Sequence, residues 1–287
     1  MNWISASMLM FASSVGLYLL IRASHQAKMP EPLNNLAMFA VPVLIYLPIA
    51  LNTPTRFALQ WNEWAIIITQ GAFLSYLGNK SSLRGMQLAP NPGYSLIISK
   101  SYVVFTTLVA LFWFGARISV PSMIAIVLII VCSTLIIIER KSPALHRNTA
   151  WIWYTLAAFF CWGFLTLFSK YLYELGVPIL TRLIYSMGIA SILIALETKQ
   201  KHIDLQKLSR LQVLILFGIG VLATAFNYFM QVGIDLAPNV GYVNAVNAAS
   251  IGAVTLGAWL FFRDELTLRK MVGVVGVMVG LVLLFMN

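Results

Sequence analysis

The stretch Gly85-Met-Gln-Leu-Ala-Pro-Asn-Pro-Gly-Tyr94 returns 148 residues later as Gly233-Ile-Asp-Leu-Ala-Pro-Asn-Val-Gly-Tyr242, with seven of the ten positions identical. The same offset pairs Trp3 with Trp151, Pro30 with Pro178 and Asn79 with Asn227. Two apolar stretches can resemble each other through composition alone, but not while keeping Asn, Pro, Gly and Tyr in one ungapped register. The chain therefore reads as a duplication, with a first half over 1–145 and a second over 149–287.

Around this motif the chain is apolar. Of its 287 residues 60% are hydrophobic and 10% charged, and the mean hydropathy is +0.85. A soluble domain carries about 25% charged residues, so a soluble enzyme, a nucleic-acid module and a disordered chain are excluded. The net charge of +10 sits mostly in short loops between apolar runs. A helix needs about 20 residues to cross the hydrocarbon core. Ten such runs are present: 3–21, 33–51, 64–84, 92–114, 120–138, 151–173, 178–196, 211–233, 241–262 and 268–286. They are apolar on all sides, unlike the alternating strands of a membrane β-barrel. Pro30, Pro32 and Pro178 stand at helix starts, where a missing N–H costs nothing. Pro42 and Pro48 lie within the second run. Cys132 and Cys161 sit inside apolar runs and read as small buried hydrophobes. Met1–Ala6 lacks the basic flank of a cleavable signal, so the first run is expected to be a retained helix.

The fold class is thus all-α integral membrane, with ten transmembrane helices. Five helices per half is an odd number, so the halves enter the membrane in opposite senses and form two inverted five-helix repeats, the plan of many secondary transporters. Leu88-Ala-Pro-Asn-Pro-Gly-Tyr94 followed by Phe112-Trp-Phe-Gly-Ala-Arg-Ile-Ser119, and Leu236-Ala-Pro-Asn-Val-Gly-Tyr242 followed by Phe261-Phe-Arg-Asp-Glu-Leu-Thr267, resemble the repeat ends of the ten-helix EamA-type members of the drug/metabolite transporter superfamily. Glu265 stands at the family's acidic turn position, whereas the first half has Arg117 there. The resemblance implies transport of a metabolite such as an amino acid, a nucleotide-linked or phosphorylated sugar, or a vitamin, with no catalytic residues and no cofactor.

Lys and Arg in short loops orient a membrane protein. Fourteen of the nineteen fall on one face: Arg22, Lys28, Lys80, Arg84, Arg140, Lys141, Arg147, Lys199, Lys201, Lys207, Arg210, Arg263, Arg269 and Lys270. The other face carries Arg56, Arg117, Lys170 and Arg182. Charge places the first, basic face in the cytoplasm and both termini outside, while relatives of this family are usually drawn with both termini inside.

All nine acids (Glu31, Glu63, Glu139, Glu174, Glu197, Asp204, Asp235, Asp264, Glu265) and the three histidines (His25, His146, His202) fall in loops or near helix ends. No metal-ligand cluster and no buried carboxylate pair is expected. The first run also lacks the glutamate with which small multidrug-exporting relatives bind protons and cations. Lys100 is the intramembrane charge, about 12 Å into the fourth helix at 1.5 Å per residue; such a charge is costly and points to function. Lys80 and Lys100 are equidistant from Pro90, so a hairpin sets them at similar depth, two cations that a substrate carboxylate or phosphate would reconcile. Asn79 and Asn227 suit substrate binding or helix–helix bonding. Ser95, Ser99, Asn244 and Asn247 form a polar patch on the fourth and ninth helices, and Ser99 aligns with Asn247 in the repeat. Tyr94 and Tyr242 are paired near the loop ends, and Tyr76 and Trp162 lie deep enough to stack on a planar substrate.

These residues lead to the expectation of a multi-pass transporter of a small polar metabolite, such as one bearing an anionic group, acting by alternating access in a prokaryotic inner membrane. Its partners are a small-molecule substrate and membrane lipid, without nucleic acid. Gly273, Gly276 and Gly280 form a close-packing stripe on the last helix that leaves internal and dimeric use, and hence monomer or homodimer, open. The alternatives are an exporter of amino acids or other neutral or zwitterionic compounds, in which Lys100 only packs or snorkels, and more distantly a lipid-processing enzyme or a membrane scaffold.

Overall fold

A computed structural model of the protein describes residues 1–89, 92–137, 149–200 and 208–286; the side chains of Glu31, Pro92, Gly93 and Tyr94 are outside that description. The half-boundary at 145, the turn at Pro90 and Asn91, and the loop residues Glu139, Arg140, Lys141, His146, Arg147, Lys201, His202, Asp204 and Lys207 lie outside it too.

The described residues form ten helices and no strand. They are α1 (Trp3–Gln26), α2 (Glu31–Leu51), α3 (residues 61–88), α4 (residues 92–113), α5 (Val120–Ile137), α6 (Ala150–Glu174), α7 (Ile179–Gln200), α8 (Arg210–Leu236), α9 (Val240–Phe262) and α10 (Leu268–Phe285). Nine are long and apolar enough to cross a bilayer. The exception is α3, which runs from Trp61–Ile68 through a π-helical stretch, Thr69–Leu77, into the polar Gly78–Leu88. Wide π turns are rare and gather at functional sites; this one precedes Asn79 and Lys80 and carries Tyr76. The fourth helix is pieced at Ser101, between Pro92–Lys100 and Tyr102–Trp113. Pro42 and Pro48 both lie inside α2.

Caps explain several ends. Ser209 accepts from the Gln212 N–H while Gln212 reaches back to the Ser209 N–H, a reciprocal capping box that starts α8. The Asn239 side chain accepts from the Gly241 N–H and starts α9 with only three residues between it and the end of α8. Arg263 takes a left-handed conformation at the end of α9.

The helices pack across the halves rather than within them. α1 lies along α8 as its repeat mate α6 lies along α3, and α2 meets α8 as α7 meets α3. α2 packs on its own mate α7, and α5 on its own mate α10. This crossed pattern is what a pseudo-two-fold axis in the membrane plane generates. The glycine stripe is internal: a Cβ at Gly273 would meet the Cys132 carbonyl and Ile136, one at Gly276 the Cys132 sulfur, and one at Gly280 Ile129. These glycines let α10 press on α5.

Candidate functional site

Successive helices alternate in direction, so two ends can be distinguished: the Trp3 face, with the α8–α9 turn, and the basic face, with the ends of α3 and α7. Between them α1, α4, α6 and α9 meet in a polar seam. Every residue from Val240 to Ser250 is buried, and two polar side chains along this segment, Asn244 and Ser250, reach other helices. Asn244 donates to Thr106 Oγ1 on α4 at 3.0 Å, and Thr166 on α6 donates to Asn244 Oδ1 at 3.4 Å. Asn247 is 6% exposed, and its Oδ1 has no hydrogen-bond partner among the described residues. Ser14 on α1 donates to Ser250 Oγ at 3.1 Å. Tyr18 follows Ser14 by one turn, on the same side of α1.

Lys100 enters this seam. It is partly buried near the middle of α4. The four ion pairs among the described residues do not include it. The repeat relates Ser14 and Ser250 to Trp162 and Tyr102, and Tyr18 to Thr166. Trp162 is thus on the seam side of α6, one turn from Thr166. The other predicted members of α4 pair locally: Ser95 shares a hydrogen bond of 2.7 Å with Thr155 on α6, and Ser99 donates to the Leu96 carbonyl of its own helix.

A cavity of about 200 Å³ opens towards the basic face, lined by Tyr76, Asn79, Lys80, Arg84, Gln87 and Glu197 among others. Tyr76 donates to Glu197 Oε2 at 3.0 Å, and Lys80 Nζ lies 3.6 Å from the same oxygen. The expected pair of uncompensated cations at Lys80 and Lys100 is therefore corrected: Lys80 faces α7 and its acid, Glu197. The π turns upstream alter the angular register of α3 and so set where Lys80 points, which equal spacing from a turn cannot anticipate.

Near the Trp3 face lies a network that sequence reasoning missed. Arg182 and Asp235, 2% and 7% exposed, form a two-pronged ion pair between α7 and α8. Arg182 also donates to the Ser169 carbonyl at 2.6 Å and to Gln231 at 3.2 Å. Gln231 and Gln70 both donate to Ser169 Oγ, at 3.1 and 3.0 Å. Lys170 donates to the Asp235 carbonyl at 2.8 Å and sits over the Tyr173 ring. Four helices, α3, α6, α7 and α8, are thus tied together. Glu63 is likewise buried, bound by Arg56 at 2.6 Å and by the Gln60 N–H. Outside this network a cavity of about 320 Å³, lined by Arg117, Lys170, Glu174 and the α8–α9 turn, opens on the Trp3 face.

Tyr242 packs on Trp3 and donates weakly to the Arg117 carbonyl at 3.5 Å. Asn227 donates back to the Ala223 carbonyl of its own helix. Tyr94 lies on α4, with its side chain outside the described residues.

Residues 149–286 match the model of the EamA-like transporter family. One solved crystal structure of a protein superposes with a TM-score of 0.80 at 15% identity, over 98% of either chain, a likeness of fold. No curated protein matches. That match and the nine membrane-length apolar helices among the described residues make this a multi-pass membrane protein. The internal repeat also gives a signal that could have exposed the missed network. Asp235 and Arg182 replace Gln87 and Asn34 of the first half, and opposite charges appearing together at two repeat positions suggest a pair.

Proposed function

We propose that the chain is a secondary transporter that moves a small polar metabolite with an anionic group across the membrane by alternating access. The observation that carries this reading is Lys100, an ammonium on the seam between the two halves with no carboxylate paired to it among the described residues. Such a charge is expensive in a membrane. A carboxylate or phosphate arriving with the substrate neutralises it, so the loaded carrier rearranges more easily than the empty one. The basic-face cavity, with Lys80, Arg84 and Asn79, offers the approach, and the buried α9 segment and the Arg182–Asp235 network close the other end. Exchange then consists of opening that end while the basic-face end closes. The charge count supports a cytoplasmic basic face in a prokaryotic inner membrane.

The test is a thermal-shift series with purified protein and anionic, zwitterionic and cationic metabolites, followed by counterflow in proteoliposomes, using wild type and Lys100→Gln. Ligands of the folded state raise stability by mass action. Anions are expected to stabilise wild type only, with counterflow lost in the variant. A second reading, export of amino acids or other zwitterions, is favoured by Glu197 beside Lys80 in the basic-face cavity, an acid and a base in one lining. It predicts equal shifts and near-normal flux in Lys100→Gln.

A further inference from the structure

The turn that leaves α4 and the turn that leaves α9 are repeat mates, and their backbones match. Gly115 and Arg263, at the same repeat position, both take left-handed conformations, with φ of 59° and 57°. One residue on, the Ala116 N–H donates to the Ala110 carbonyl at 3.1 Å, and the Asp264 N–H donates to the Ala258 carbonyl at 3.3 Å. The donors and the acceptors of these two bonds are again repeat mates. The side chains at 116 and 264 are therefore held at equivalent places in the two halves.

At the basic face that place is filled, because the Asp264 carboxylate accepts two hydrogen bonds from Arg22. At the Trp3 face Lys170 stands for Arg22, but Ala116 stands for Asp264 and Arg117 for Glu265. The acid is gone and a second cation has come. The space it would fill is open: the cavity of about 320 Å³ is lined by Gly115, Ala116, Arg117, Lys170 and Glu174 together with the α8–α9 turn. Nothing lies within 4 Å of where a Cβ on Gly115 would stand. Lys170 gives one N–H to the Asp235 carbonyl, and an ammonium has three. The four ion pairs among the described residues include neither Lys170, Arg117 nor Glu174. Two cations against one acid leave the lining one positive charge in excess.

Resting on the anion-carrier reading above, we infer that this cavity is a docking site for the transported anion on the Trp3 face, where its carboxylate or phosphate takes the place that Asp264 holds in the other half. Lys170 and Arg117 flank the anion, and Glu174, one turn after Lys170 on α6, limits the attraction to one net charge. Exposed charge pairs are weak, so the site acts by concentrating the anion at the mouth of the path rather than by holding it tightly. It serves entry from one side only, since the matching place at the basic face carries its own acid.

The experiment is counterflow of lactate and of glycerol 3-phosphate in proteoliposomes of known carrier orientation, with substrate offered to either face. Arg117→Gln, a change on an exposed side chain, is expected to raise KM for entry from the Trp3 face about threefold to fivefold. The maximal rate and the KM from the basic face should change little. Ala116→Asp gives Lys170 the fixed acid of the other half and should raise the same KM further. High salt should screen the site and bring wild type to the level of Arg117→Gln. A KM for the Trp3 face unchanged in both variants, an equal rise at both faces, or a fall in maximal rate alone overturns the inference. Counterflow that persists in Lys100→Gln overturns the anion-carrier reading instead, so the two failures are distinct.

Discussion

The corner from α8 into α9 and the start of α4 come from the same duplicated sequence, yet they are packed differently. Every residue of α9 from Val240 to Ser250 is buried. In the matching part of α4, Ser95 and Ser99 are buried while Leu96, Ile97, Ile98 and Lys100 are only partly so. The shared Leu-Ala-Pro-Asn-x-Gly-Tyr motif sets the turn but not what surrounds it. The neighbours differ: Arg182 holds Asp235 beside one corner, whereas Asn34 and Gln87 occupy those places beside the other. A carrier with two inverted halves is closed at one end at a time, and the ion pair gives one end an extra bond.

The largest effect should follow from breaking that bond on one side. Asp235→Ala leaves the Arg182 guanidinium buried without its acid, which costs about 3–5 kcal/mol. Thermal unfolding in detergent should show a large drop in midpoint. Gln87→Ala, the same change at the related position, should stay within about 0.5 kcal/mol, as surface changes do. Replacing the pair together by Arg182→Met and Asp235→Leu should restore much of the stability. If both single variants lose equally, the two ends are energetically alike and the comparison fails.

Next comes the close approach at the α9 corner. A Cβ on Gly241 would lie 1.9 Å from Thr107 Oγ1 and 2.8 Å from its Cβ. Gly241→Ala should cost about 1–3 kcal/mol through overpacking. Adding Thr107→Ala should recover part of it, which a double-mutant cycle on the unfolding midpoint measures. Full additivity would mean the two residues do not touch in the working protein.

A smaller effect is expected at the basic-face cavity. Lys80 and Glu197 are 57% and 27% exposed, with 3.6 Å between them. Such a pair contributes about 1 kcal/mol or less, so Glu197→Gln should leave the unfolding midpoint nearly unchanged. It should instead shift counterflow a few-fold towards anions over zwitterions. A change in stability without a change in preference would assign Glu197 to structure.

The sequence read well where its signal was one-dimensional. Apolar run length gave all ten helices, and the α1, α5, α9 and α10 starts fall within a residue of those expected. The repeat motif gave the inverted plan, which the crossed packing of α1 on α8 and α6 on α3 displays. Rotation about a helix axis was less legible. The side of α3 on which Lys80 lies depends on the π turns at Thr69–Leu77, for which no residue pattern is diagnostic. Arg182 and Asp235 stand near helix ends, where charges are ordinary, and only the convergence of α6, α7 and α8 buries them. Asn247 could be singled out with its patch, but its unpaired oxygen depends on which partners α1 and α4 bring to it.

The smallest effect concerns a second link between the halves, at the basic face. Arg22 on α1 donates through Nε and Nη2 to Asp264, at 3.2 and 2.9 Å, in the turn after α9. That hydrogen bonding holds the Asp264 carboxyl below its ordinary range. A carboxylate with a lowered folded-state pKa adds stability that is present above its unfolded value and is lost as pH falls through the folded one. Both side chains are more than a third exposed, so solvent screens the pair and the contribution is at most about 1 kcal/mol. Unfolding midpoints measured down through the acid range should therefore fall slightly less steeply in Asp264→Asn than in wild type, and the two should converge once the carboxylate is protonated. The repeat mates of Arg22 and Asp264 are Lys170 and Ala116, and this carboxylate has no counterpart at the Trp3 face. Removing it should weaken only the basic-face link, so an acid-dependent difference as large as that of Asp235→Ala would reverse the ranking of the two ends.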